Sequence, residues 1–431
     1  MLYSEDDKFV ISEVKGLMAL DSRGTPTVKV IVKTNGGGVG VALAPSGASK
    51  SEKEAVELRD GGKKWRGKGV GLAIARLETE IVPRLKGTDS RMQEYIDSLL
   101  IEVDGTPQKR RLGGNTITAV SIAVAKAAAN TAGIQLYRYL GGAYASSLPV
   151  PLMNIINGGV HAGNELDFQE FLILPVGAEI FSEALRMAVE VYWELKDLLK
   201  EKYGLNAINV GDEGGYAPPM RSVEEALDAL QRAIERSGYA LGEDFLLGID
   251  VAATQIYDGN KRAYQVEGKT LTPGELVDMY EDLTRRYSIA YLEDPFHEED
   301  FNSFKELTRK IGHRTLIVGD DLYATNPSIL EKGIEIQASN AALVKVNQIG
   351  TLTDTMKFIG MARDAGMRYI ISHRSGDTED PFIADLAVAM GAKLIKTGAP
   401  ARGERTSKYN RLLEIEDELG PVASYVGKGI L

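Results

Sequence analysis

The sequence contains no cysteine, which excludes disulfides, thiolate nucleophiles, iron–sulfur clusters and cysteine-based zinc sites together. Histidine is nearly as scarce: only His161, His297, His313 and His373 occur. Basic residues are outnumbered, 50 Lys and Arg against 61 Asp and Glu, for a net charge of −11. General binding to nucleic acid is therefore not expected, because no basic surplus exists to meet phosphates, although one local pocket for a small anion remains compatible with this balance. No apolar run reaches the ~18 residues of a membrane-spanning helix. The segment Met1 to Asp7 is acidic and lacks the basic and apolar regions of a signal peptide. A cytoplasmic protein without membrane insertion is the expectation.

What is present is ordinary globular material, 44% apolar and 26% charged over 431 residues. At ~150 residues per domain this suggests two or three domains, and two if one is a barrel of ~250 residues. Residues 9–45 read as three short strands. Val28 to Lys33 alternates, and Asn35-Gly36 makes a turn before Val39 to Ala44. Helical patterns follow, ending in an alanine- and valine-rich run from Thr116 to Tyr139 that Gly141-Gly142 should stop. Strands then helices indicate an N-terminal α+β domain, a three-stranded antiparallel sheet plus helices, placed over 1–142.

From about residue 148 short apolar strands recur: Val150 to Ile156, Phe168 to Leu174, Leu246 to Val251, Ile289 to Glu293, Leu316 to Asp320, Leu343 to Val346, Tyr369 to Ser372 and Leu394 to Thr397. Helical patterns separate most of them. Phe181, Leu185, Ala188, Tyr192, Leu195 and Leu199 keep helical spacing. Ser222-x-x-Glu225 and Thr272-Pro273-x-Glu275 read as helix starts of the capping-box kind. Eight strands with intervening helices indicate an α/β fold with a C-terminal β/α barrel, placed over 143–431.

Barrel active sites lie at the C-terminal ends of the strands. Three consecutive strands end in acids: Asp250, Glu293-Asp294 and Asp320-Asp321. Singly, each could cap the next helix, with about even odds. Together they converge on one mouth and repel one another unless a cation sits among them, and an all-oxygen set of this kind suits Mg²⁺. The following strands end in Lys345, in His373-Arg374-Ser375 and in Lys396. A lone strand-end lysine is usually a solvated group. Two lysines and an arginine opposite an acidic cluster suggest a pocket for an anionic substrate. Proton abstraction beside a carboxylate fits such a mouth, with Mg²⁺ on the carboxylate oxygens stabilising an enolate-like intermediate and a lysine of lowered pKa as base. Other templates fail: there is no G-x-G-x-x-G after a strand, no H-E-x-x-H and no G-x-S-x-G elbow, and Gly62 to Gly69 approaches a P-loop but lacks its final Ser or Thr.

With these residues in view the chain resembles the enolase family over nearly its whole length. The resemblance is carried by Asp21-Ser22-Arg23-Gly24, Pro45-Ser46-Gly47-Ala48-Ser49, His161-Ala162-Gly163-Asn164, Gln169-Glu170-Phe171, Gly211-Asp212-Glu213-Gly214-Gly215, Glu293-Asp294-Pro295, Gly319-Asp320-Asp321-Leu322, Lys345-Val346-Asn347-Gln348-Ile349-Gly350, Ser372-His373-Arg374-Ser375-Gly376 and Lys396-Thr397-Gly398-Ala399-Pro400, in family order. It implies a ββαα(βα)6 barrel, with Gly211 to Gly215 between the two helices. It implies reversible dehydration of 2-phosphoglycerate to phosphoenolpyruvate in glycolysis and gluconeogenesis, with two Mg²⁺ ions per site, the second arriving with substrate. Asp250, Glu293 and Asp320 would hold the first ion, and Ser49 would help hold the second. Lys345 would remove the C2 proton. Glu213 would protonate the departing hydroxyl, with Glu170 beside it. Lys396 would meet the substrate carboxylate, Arg374 and Ser375 the phosphate, and Gln169 the substrate. His161 would close over the site, and His373 would line it.

The resemblance further implies a homodimer or an octamer of dimers, with Arg23 paired to an acid near Glu416-Asp417 of a second copy. His297 and His313 carry no family role and read as surface residues. There are three departures from the family pattern: Lys50-Ser51 stands where Thr-Gly is usual, Val160 precedes His161 where a small polar residue is commoner, and Asp417 replaces a more usual Glu; the first two touch mobile loops. Two alternatives have a discriminating feature. A superfamily relative acting on another carboxylate would typically carry Lys-x-Lys on an early barrel strand, where this chain offers Glu170 and Glu213. An enolase-derived scaffold or surface receptor would not need intact catalytic residues.

Overall fold

The computed structural model describes residues 7–47, 51–159 and 162–431. Three antiparallel strands, β1 (Ile11–Leu20), β2 (Pro26–Thr34) and β3 (Val39–Leu43), form a sheet in that order. Alternation along β2 puts Val28, Val30 and Val32 on one fully buried face. After α1 (Gln93–Asp104), the alanine-rich α2 (Gly114–Ala132) covers that face. The approach is close: a Cβ on Gly40 of β3 would lie 1.9 Å from the Ala123 carbonyl oxygen, so only glycine fits.

The continuous helix expected from Thr116 to Tyr139 is two. Gly133 adopts a left-handed φ of 66°, and its N–H caps α2 on the Ala129 and Asn130 carbonyls. A short helix, Leu136–Gly141, follows and ends at Gly142. Apolar periodicity runs on across Gly133 and hides the break from a pattern reading.

Eight strands close the barrel: β4 (Val150–Asn157), β5 (Glu170–Pro175), β6 (Phe245–Asp250), β7 (Ile289–Glu293), β8 (Leu316–Gly319), β9 (Ala341–Val344), β10 (Arg368–Ser372) and β11 (Leu394–Lys396). Two helices, α3 (Phe181–Tyr203) and α4 (Val223–Arg236), separate β5 from β6. The later strands lead into α5 (Pro273–Arg286), α6 (Phe301–Ile311), α7 (Pro327–Ile336), α8 (Leu352–Asp364), α9 (Phe382–Met390) and α10 (Gly403–Leu419). This is the ββαα(βα)6 arrangement. Thr272 and Glu275 form a reciprocal capping box at α5. At α4 only half of one forms, because the Glu225 carboxylate takes the Arg221 N–H instead of that of Ser222.

Strand β5 runs antiparallel to both its neighbours, while every other barrel pair is parallel. Its first residue, Glu170, therefore pairs with Asn157 and Asp250, the last residues of β4 and β6. The start of β5 stands at the same mouth as the ends of its neighbours. Beneath that mouth Leu152, Leu172, Val318, Leu343, Ile370 and Leu394 fill the barrel interior. The N-terminal unit sits against the mouth through paired backbone hydrogen bonds between Ser46 and Gly376, at 2.7 and 2.9 Å. Asp380 joins the two units as well, accepting from the Leu43 N–H and from Lys126 Nζ. None of the described helices is long and apolar enough to cross a membrane.

Candidate active site

Asp250 and Glu293 end β6 and β7, and Asp320 directly follows β8; their relative exposures are 4%, 0% and 7%. Lys396, the last residue of β11, sits among the first two. Its Nζ donates to Asp250 Oδ2 at 2.9 Å and Glu293 Oε2 at 2.7 Å, and lies 3.1 Å from Glu170 Oε2. Lys345, directly after β9, pairs with Asp320. The acidic and basic halves of the mouth are in contact.

Burial pushes the Glu293 carboxyl up to about 8, with the Asp250 charge adding to the rise and Lys396 opposing it. Burial, with the Glu213 charge, also holds Glu170 well above the usual carboxylate range. For Asp320 the upward push of burial is outweighed by Lys345, Arg374 and Lys396, and its carboxyl falls below the ordinary value. Burial pulls both lysines down, but the neighbouring carboxylates win and raise them: Asp320 for Lys345, and Asp250, Glu170 and Glu293 for Lys396.

Two further acids, Asp294 and Asp321, stand at this mouth. Oxygens of Asp294, Asp320 and Asp321 lie within 4.8 Å of one another, a grouping able to hold a cation. Asp294 is the scaffold of the three. Its two carboxylate oxygens accept the Asp320 and Asp321 N–H groups at 2.9 and 2.8 Å, fixing the turn that presents Asp320. Asp321 is pushed up to about 7 by burial and by the Asp320 charge. Asp320 is common to this grouping and to the strand-end set of Asp250, Glu293 and Asp320. Glu293 Oε1 is buried and has no hydrogen-bond partner among the described residues. An all-oxygen, negatively charged cluster with an orphaned carboxylate oxygen fits a hard divalent cation.

Gln169, Glu170, Glu213, Asp250, Asp320, Lys345, His373, Arg374, Ser375 and Lys396 line one cavity at this mouth. Glu213 reaches it from the Gly211–Gly215 segment between α3 and α4, where Asn154 Nδ2 donates to its Oε2 at 3.2 Å and His373 Nε2 lies 3.4 Å away. Gln169 Nε2 donates to Asp250 Oδ2 at 3.3 Å, while its Oε1 has no partner among the described residues. Arg374 is engaged by Glu54 and Asn347, and Gln348 Nε2 donates to Asp320 Oδ1 at 3.0 Å. Glu54 lies about 320 residues from Arg374 in the chain, and no strand-end pattern points to it.

Ser49 and His161 lie outside the described residues, as does Lys50 of the first loop. The described flanks of that loop are anchored: Ser46 to Gly376, and Ser51 Oγ to Glu298 Oε2 at 2.6 Å. Arg23 donates within its own chain to the Ser46 carbonyl at 3.1 Å. Glu416 accepts the Phe181 and Ser182 N–H groups at the start of α3. His313 is exposed, and His297 is half-buried with its ring 4.5 Å from that of Tyr257. A wider open groove runs between α3 and α4, where Lys202 pairs with Glu225 and Arg236 with Glu194 and Glu201.

Fold and site together define a β/α-barrel enzyme in which acidic and basic strand ends meet over one cavity, capped by an α+β unit. The model of the enolase C-terminal TIM barrel domain matches residues 145–431, and that of the enolase N-terminal domain matches residues 11–140. The enolase of Aeropyrum pernix is 60% identical over 419 residues, covering 97% of this chain and 96% of that protein. The enolase of Pyrococcus furiosus is 55% identical, covering 96% and 97%, and that of Methanocaldococcus jannaschii 53%, covering 98% of each. The chain belongs to the enolase family of carbon–oxygen lyases.

Proposed function

We propose that this chain catalyses the reversible Mg²⁺-dependent dehydration of 2-phosphoglycerate to phosphoenolpyruvate, in glycolysis and gluconeogenesis, at the barrel mouth. The observation that carries the reading is the convergence of Asp250, Glu293 and Asp320 with Lys345 and Lys396, where buried ammonium groups sit among the carboxylates. A cation held there by Asp250, Glu293 and Asp320, and a second arriving with substrate and held partly by Ser49, would supply positive charge against the enolate that forms at the substrate carboxylate.

Each side chain then has a task. Lys345 takes the C2 proton. It must be neutral to do so, and its present pairing with Asp320 opposes that, so Asp320 has to turn its charge to another partner first. Lys396 meets the substrate carboxylate, and Gln169 Oε1 offers an acceptor to the substrate. Glu213, steadied by Asn154 and flanked by Glu170, gives its proton to the leaving C3 hydroxyl. Arg374 and Ser375 hold the phosphate. His161 closes over the bound molecule, and His373 lines the acid side.

The two domains divide at 142/143. The active form is a homodimer or an octamer of dimers, acting in the cytoplasm. A monomeric mass by light scattering at micromolar concentration would refute the oligomer. The decisive assay adds 2-phosphoglycerate and Mg²⁺ and follows phosphoenolpyruvate by ultraviolet absorbance; no product at any Mg²⁺ concentration would overturn the reading.

A further inference from the structure

We propose that Arg405 is a positioning residue for the acid side of the reaction: it fixes His373 as the neutral Nε2–H tautomer and aims that N–H at Glu213. The inference rests on the reading of Glu213 as the acid.

Among the described residues Arg405 is the bulkiest fully buried side chain, near the start of α10. Its guanidinium carries only donors and stays protonated in proteins. Its Nη1 lies 2.5 Å from His373 Nδ1. At that contact Nδ1 has to be the acceptor. An imidazolium would set N–H against N–H. A neutral ring with an acceptor at Nδ1 carries its one proton on Nε2, and Nε2 is the atom 3.4 Å from Glu213 Oε2.

The remaining Arg405 bonds fix this alignment. Nη1 also donates to the Arg374 carbonyl at 2.6 Å, and Nη2 donates to the Ser375 carbonyl at 2.7 Å and the Asp212 carbonyl at 3.2 Å. One guanidinium thus ties the segment after β10 to the residue preceding Glu213. Gly398, with φ 78°, makes room for the three: a Cβ there would lie 2.8 Å from the Glu213 carbonyl oxygen, 2.9 Å from Arg405 Cδ and 3.2 Å from His373 Cε1.

Among the described residues, the charged groups that act most on His373 are Glu213, Arg405 and Asp377, the last of which is held by Lys408 at 3.0 Å. Burial and the Arg405 charge hold the imidazole down, to about 4, against the pull of Glu213. His373 is therefore not itself the proton donor. As Glu213 releases its proton, negative charge develops at Oε2, where the His373 Nε2–H and the Asn154 amide both donate. In hydration the same donors steady the carboxylate that accepts a proton from water.

The test uses the full-length enzyme with ¹⁵N-labelled histidine rings. Four histidines make the spectrum tractable, and His373→Gln identifies the resonance. In the wild type, His373 should show a protonated Nε2 and a bare Nδ1, and should stay neutral down to about pH 5. In Arg405→Gln it should titrate nearer to ~6.5, and Arg405→Lys, which keeps a donor, should restore part of the lock. Dehydration by Arg405→Gln should fall by on the order of tenfold or more, with C2 proton exchange nearly intact. A wild-type ring protonated at Nδ1, or one that titrates between pH 6 and 7, overturns the inference without any variant having to fold. So does an unchanged His373 titration in Arg405→Gln. If Glu213→Gln dehydrates normally while the ring is locked as described, the acid assignment fails and the tautomer stands.

Discussion

Glu54 and Arg374 form a buried two-bond ion pair, Nη1 to Oε2 at 2.9 Å and Nη2 to Oε1 at 3.1 Å, with side chains only 5% and 3% exposed. A carboxylate of the N-terminal unit thus stands on the guanidinium assigned to the substrate phosphate. Glu54 also receives Gln348 Nε2 at 3.4 Å, and Gln348 in turn donates to Asp320. Arg374 and Asp320, on opposite sides of the mouth, thus share one hydrogen-bonded chain through Glu54 and Gln348.

Glu54→Gln should leave a buried guanidinium short of counter-charge and cost about 3 kcal/mol of stability. Millimolar inorganic phosphate should return part of the loss by binding the folded state. Denaturant unfolding with and without phosphate reads both effects, and a variant as stable as wild type in plain buffer would rule them out.

Asp250→Asn should weaken Mg²⁺ binding, because Asp250 presents a buried carboxylate beside Glu293 and Lys396. Titration calorimetry gives the affinity, and turnover should nearly vanish. Full activity of the wild type in excess chelator would contradict the metal assignment.

Lys345→Ala should eliminate exchange of the substrate C2 proton with solvent. Glu213→Gln should slow dehydration while leaving that exchange detectable. Losses on the order of 10²-fold or more are expected for such acid–base groups. Exchange at the wild-type rate in Lys345→Ala would show that another group is the base.

The metal-free protein should lose stability as pH rises from about 6.5 to 8. The folded-state values of Glu293 and Asp321, about 8 and about 7, lie above those of the free carboxyls at 4.5 and 3.8. The native state therefore holds protons that the unfolded chain has released, and unfolding becomes easier as pH climbs toward these values. His373, lowered from 6.5 to about 4, acts in the opposite direction, but only below 6.5. Melting temperature against pH should slope downward above 6.5, and Glu293→Gln should flatten it. A flat wild-type profile in that window would count against the buried neutral carboxyl.

The sequence by itself determined the barrel's strands, because each is a short apolar run bounded by polar residues, and strand-end positions such as Asp250, Glu293, Lys345 and Lys396 could be named from that pattern alone. Helix starts were legible where capping is local, as at Thr272 and Glu275. The break at Gly133 was not, since a left-handed turn leaves apolar periodicity undisturbed. Tertiary structure alone decided which partners those strand-end groups meet. Lys396 touches Glu170 because β5 runs antiparallel and starts at the mouth. Glu54 reaches Arg374 across the two units, and Arg405 reaches His373 across two barrel segments with no shared periodicity. Periodicity reports which side of an element faces the core, whereas ion pairs and tautomers depend on distances between segments far apart in the chain, and only folding sets those.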